Sequence, residues 1–97
     1  MRKVIFKYDL RANDRTTLVL PDGARAIYVD QQNGKIKLWI EQDETPKAAK
    51  GIRARAFYAR PTGEPFDKGD MDHYIGTVCT VDCALVWHIY EVYNDFG

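Results

Sequence analysis

The sequence predicts an all-β fold, a compact antiparallel β-sandwich or partly open barrel of about seven strands, in a single domain spanning residues 1–97. Three observations carry this. Short segments of alternating polar and apolar residues recur at close intervals, Gly, Pro, Asn and Asp punctuate them, and apolar residues nowhere follow a sustained helical period.

The clearest local signal is Asn33-Gly34, at the centre of the stretch Arg25–Gln42. Both central residues of a two-residue type I′ turn take positive φ, which Asn and Gly tolerate best, so this stretch reads as a hairpin whose pairing follows by counting outward. Val29 is then expected opposite Leu38 and Ile27 opposite Ile40 on a core face, with Tyr28 opposite Trp39 and Asp30 opposite Lys37 on the outer face. The outer face would carry two large aromatics beside an ion pair. It is therefore either covered by the N-terminal segment or the Asp43–Gly51 connector, or it is a contact surface whose residues are Tyr28, Trp39, Lys37 and Asp30.

The other elements follow in order. Val4, Phe6, Tyr8 and Leu10 alternate with Lys3, Ile5, Lys7 and Asp9, giving an opening strand with one mostly apolar side. After a polar bend at Arg11–Arg15, Thr16–Leu20 is a β-branched strand stopped by Pro21-Asp22-Gly23. Asp43–Gly51 reads as a connector with room for one helical turn. In Ile52–Arg60, Ile52, Ala54, Ala56 and Tyr58 share a face expected to pack closely, and Arg53, Arg55 and Phe57 share the other. Pro61–Asp72 is a long irregular loop. His73–Thr80 and Cys83–Tyr93 form the last pair of strands, joined through Val81-Asp82. A two-residue loop there would set Gly76 opposite Trp87; a three-residue loop would set Cys79 opposite Cys83.

Composition narrows function by exclusion. Fourteen basic and fourteen acidic residues cancel, so no overall field steers the chain to nucleic acid. No apolar run reaches the ~18–20 residues of a membrane span, and the basic start gives way at once to alternation rather than to a secretory signal, so a soluble, cytoplasmic protein is expected. No Gly-x-Ser-x-Gly elbow, phosphate-binding glycine loop or His-Glu-x-x-His helix occurs, and His88 has no identifiable nucleophile to serve as general base. The expectation is therefore no enzyme and no cofactor.

His73, Cys79, Cys83 and His88 contain zinc-ligand atoms without the usual Cys-x-x-Cys spacing, and neither a metal site nor a disulfide is expected. Asp67, Asp70 and Asp72 read as a solvated acidic bend. The alternative ligand site is an anion-binding set of Arg53, Arg55, Phe57 and Arg60. There paired guanidiniums would hold phosphate or carboxylate and an aromatic would stack on a base; otherwise these arginines form a solvated face paired with Glu41, Asp43 or Glu44.

Several segments together carry a resemblance: Leu20-Pro21-Asp22-Gly23-Ala24, Gln32-Asn33-Gly34 with Leu38-Trp39, Thr62-Gly63-Glu64-Pro65, Tyr74-Ile75-Gly76-Thr77 and Leu85-Val86-Trp87-His88-Ile89-Tyr90-Glu91. Over nearly its whole length the chain resembles a family of small, functionally uncharacterised proteins of tailed bacteriophages and prophages. It departs from that family's glycine-rich turn at Val81-Asp82-Cys83. The resemblance implies a viral accessory protein in the cytoplasm of an infected bacterial cell. The leading expectation is a non-enzymatic protein that binds and blocks a bacterial host protein, such as a defence component, in the manner of anti-CRISPR-like proteins. A homo-oligomer sequestering an anionic nucleotide signal and a particle-assembly component are the alternatives.

Overall fold

The structure is a computed structural model that describes residues 2–44 and 51–93. Its strands are β1 (Lys3–Leu10), β2 (Arg15–Pro21), β3 (Arg25–Gln32), β4 (Lys35–Asp43), β5 (Ile52–Pro61), β6 (His73–Thr80) and β7 (Leu85–Val92). They form two antiparallel sheets, ordered β1-β4-β3 and β2-β5-β7-β6. The helical turn considered for Asp43–Gly51 falls largely outside the described residues; Asp43 itself ends β4.

Alternation in β4 shows why the two layers meet. Ile36, Leu38, Ile40 and Gln42 are buried, while Lys37, Trp39, Glu41 and Asp43 between them are only half-buried. Facing the β4 side chains from the second sheet are Leu20, Phe57, Ala59, Val78, Trp87 and Ile89, and Leu10 and Ala24 complete the cluster. The Trp87 indole N–H, buried here, donates to Thr80 Oγ1 at 3.0 Å, so this aromatic leaves no orphan donor.

The sheets approach most closely where β3 meets β6. A Cβ on Gly76 would stand 2.7 Å from Val29 Cγ2, so only glycine fits against the valine. The β6 register shifts between Tyr74 and Gly76 at this contact.

The Asn33-Gly34 turn has positive φ at both residues, 53° and 79°, and Val29–Leu38, Tyr28–Trp39 and Asp30–Lys37 are opposite one another. The expected Ile27–Ile40 pair is not formed. A bulge between Ala26 and Tyr28 puts Ala26 opposite Ile40 and leaves Ile27 42% exposed.

The faces of β5 are the reverse of those expected. Phe57 and Ala59 are 1% exposed on the core side, which also carries Arg53 and Arg55, whereas Ala54 is exposed. Phe57 decides the orientation, because burying an aromatic removes far more apolar surface from water than burying two alanines.

The final hairpin follows neither short-loop alternative. Thr80 pairs with Leu85 across the four residues Val81–Ala84, Trp87 faces Val78, and Gly76 faces Ile89. Cys79 and Cys83 are joined by a disulfide, against the sequence expectation. Val81, Asp82 and Cys83 all adopt left-handed φ, between 51° and 63°, which is how a non-glycine segment closes the reversal.

Candidate functional site: the outer face of the β1-β4-β3 sheet

β4 is the central strand of its sheet, so its outward Lys37, Trp39 and Glu41 each have a neighbour on both sides. Trp39 lies between Lys7 of β1 and Tyr28 of β3, and Lys37 lies between Asp9 and Asp30. Further along, Glu41 lies between Ile5 and Arg25, and Asp43 is opposite Lys3. The Tyr28 and Trp39 rings are 5.4 Å apart and tilted by 54°, a favourable aromatic arrangement. Tyr28 is 56% exposed and Ile5 is 52% exposed, so the aromatic row continues into aliphatic surface.

Charge surrounds this centre. Lys3 Nζ lies 2.6 Å from Asp43 Oδ1, and that carboxylate raises the lysine pKa. Lys7 donates to Gln32 Oε1 at 2.6 Å. The ion pair expected between Lys37 and Asp30 is replaced by one between Lys37 and Asp9, whose carboxyl is held below its ordinary range chiefly by the hydrogen bond from that ammonium group. Asp30 instead accepts from the Tyr28 hydroxyl at 3.0 Å, which raises the phenol pKa. The reason is positional: β1 brings a second acid to the other flank of Lys37, and Asp30 already has nearby donors in Tyr28 and the Gln31 amide.

The residues considered for anion binding do not converge. Arg55 donates to both oxygens of Glu91, at 2.6 and 2.8 Å, and to the Ala24 carbonyl at 2.5 Å. Its guanidinium pKa is raised first by the Glu91 hydrogen bonds. Arg53 is 4.0 Å from Asp22. Phe57, 1% exposed, presents no open ring face to a base. A cleft of about 190 Å³ beside Arg53 and Arg55 also has Glu91 and Tyr93 in its wall, so a carboxylate is built into the cationic surface.

Arg60 projects from the opposite side of β5. Its guanidinium lies 4.0 Å from the Phe66 ring centre, 5.0 Å from that of Tyr90 and 5.3 Å from that of Tyr58. Asp72 is 3.9 Å from Arg60 Nη2 and accepts from the Gly69 and Tyr93 amides, so it ties down the long loop instead of forming a solvated bend.

His88 is bracketed by hydroxyls: Thr62 Oγ1 is 2.7 Å from Nε2 and Thr77 Oγ1 is 3.1 Å from Nδ1. Among the described residues no group of three or more His, Cys, Asp or Glu side chains is placed to hold a metal ion. No helix among those residues is long and apolar enough to cross a membrane.

Sequence reasoning located Tyr28, Trp39, Lys37 and Asp30 but missed Ile5, Lys7, Asp9 and Ile27, which share or border the same surface. Ile27 is exposed by the β3 bulge, and Ile5, Lys7 and Asp9 join the surface through the pairing of β1 with β4, a contact between segments about thirty residues apart that no local turn encodes. The Arg60 cluster was missed for the same reason. Its one sequence signal was alternation, which places Tyr58 with Arg60 on β5 and His88 with Tyr90 on β7.

Fold and surface together define a small antiparallel β-sandwich with an open, aromatic-centred sheet face. The chain belongs to the domain of unknown function family DUF7352, which matches residues 1–96. No curated protein and no solved structure matches it.

Proposed function

We propose that this protein is a non-enzymatic binding module that docks a protein partner on the outer face of β1-β4-β3, with Trp39 and Tyr28 as the anchors. The supporting observation is the Tyr28–Trp39 pair, exposed at Tyr28 and half-buried at Trp39, continued by Ile5 and ringed by Lys3–Asp43, Lys37–Asp9 and the Asp30 carboxylate. Protein interfaces commonly have this layout, with an aromatic centre that excludes water inside a polar rim. Occluding a partner requires complementary area and no reactive group. The resemblance to phage and prophage proteins makes a bacterial host protein, such as a defence component, the partner class, with the host cytoplasm as the setting.

The test is affinity capture from bacterial lysate with the wild-type chain, Trp39→Ala and Tyr28→Ala in parallel. A partner retained by wild type should be weakened at least tenfold by either substitution while both variants still melt cooperatively. Equal retention by all three proteins would remove this face from the interaction.

A further inference from the structure

We propose that the free edge of β1 pairs with β1 of a second copy of this chain, forming a two-fold dimer centred on Phe6. It is tested apart from the docking proposal, because Phe6 lies on the core side of the strand edge, although Lys3, Ile5 and Asp9 border both surfaces.

β1 ends its sheet, with β4 on one side and no strand on the other among the described residues. Such an edge offers unpaired backbone groups to another strand. Phe6 is opposite Ile40, a fully buried residue, and so points to the core side, yet Phe6 is 48% exposed. Ile5, on the other face, is 52% exposed. Two adjacent large apolar residues are thus uncovered on opposite faces of the same edge.

Charge fits a second copy of this strand, and strand overlap completes the choice of register, since centring on Tyr8 also opposes Lys7 to Asp9 but pairs only Phe6–Leu10. An antiparallel two-fold contact that continues the sheet brings facing residues to the same side, so its centre is a residue of β1. Centred on Phe6, the pairing sets Phe6 against its copy, Val4 against Tyr8, Ile5 against Lys7, and Lys3 against Asp9. The apolar pairs fall on the core side and the complementary charges on the outer side, while the Lys7 stem covers Ile5. Centring on Ile5 would oppose Lys3 to Lys7, and centring on Lys7 would oppose that lysine to its copy, both like-charge contacts. The strand is therefore complementary to itself in the Phe6-centred register. The product is one continuous sheet, β3-β4-β1 followed by its two-fold mate, with both Tyr28–Trp39 pairs on the same side.

Sedimentation equilibrium at micromolar to submillimolar concentrations, combined with cysteine cross-linking, tests this. The native cysteines are already joined to each other, so an introduced cysteine is the sole free thiol. Facing Cα atoms would lie ~5 Å apart, within disulfide range. Under a mild oxidant, Phe6→Cys should give a covalent dimer. Val4→Cys and Tyr8→Cys should each form no covalent dimer alone, because like positions lie about 13 Å apart along the strand, and should cross-link when mixed. Phe6→Lys should weaken dimerisation at least tenfold; if it does not fold, the cross-linking pattern decides. A monomer at every concentration, a dimer indifferent to Phe6→Lys, or cross-linking of Val4→Cys alone would each overturn the proposal.

Discussion

Arg55 and Glu91 form a two-pronged ion pair between β5 and β7, with side chains 15% and 4% exposed. The carboxylate has its strongest counter-charge in that guanidinium, so Arg55→Ala strands a buried negative charge. The expected loss is about 3 kcal/mol in urea unfolding, whereas replacing both residues with Met and Leu should recover most of it, since neither charge is then left unpaired. Lys3→Ala, which breaks a solvent-screened pair with Asp43, should shift the urea midpoint far less than Arg55→Ala does.

The Gly76–Val29 contact makes a second, opposite test. Gly76→Ala drives a methyl group into Val29 and should destabilise by about 1–3 kcal/mol. Adding Val29→Ala opens the space, so the double variant should lose less than the two single costs combined, as a denaturation cycle would measure.

At the β6–β7 reversal Val81 holds a left-handed φ of 54° while its side chain is 64% exposed. Glycine there loses little packing and removes a backbone penalty of roughly 1–2 kcal/mol. Val81→Gly is therefore expected to raise the unfolding midpoint in urea.

Asp9 supplies a pH test. Its carboxyl pKa is lowered chiefly by the Lys37 hydrogen bond, so the folded state favours the charged form. The stabilisation is complete above the unfolded value near ~3.9 and is lost as pH falls through the lower folded value. Carbon-13 titration of Asp9 should show an inflection below ~3.9 that moves up in Lys37→Ala.

How legible all this was depends on sequence separation. The β3–β4 hairpin could be read because Asn33-Gly34 supplies its own geometry, and Tyr28 is opposite Trp39 as the counting requires. The Ile27 bulge and the four-residue Val81–Ala84 loop escaped because neither has such chemistry, and an extra residue in one strand leaves no periodic trace until the partner is known. The faces of β5 reverse the expected ones because Phe57 outweighs the small alanines, and Arg55 is free neither for an anionic ligand nor for Glu41, Asp43 or Glu44 because Glu91, thirty-six residues away, holds it. Tyr28, Asp30, Lys37 and Trp39 follow from the turn, while the bulged Ile27 and the residues that β1 contributes do not.

The outward placement of Trp39 carries the account, and tryptophan fluorescence in Trp87→Phe reads it directly, because Trp39 is then the sole indole. The account predicts emission shifted to the red of a buried tryptophan and efficient acrylamide quenching, both reversed by a bound partner. Blue-shifted emission shielded from acrylamide in the free protein would place Trp39 inside the fold and contradict it.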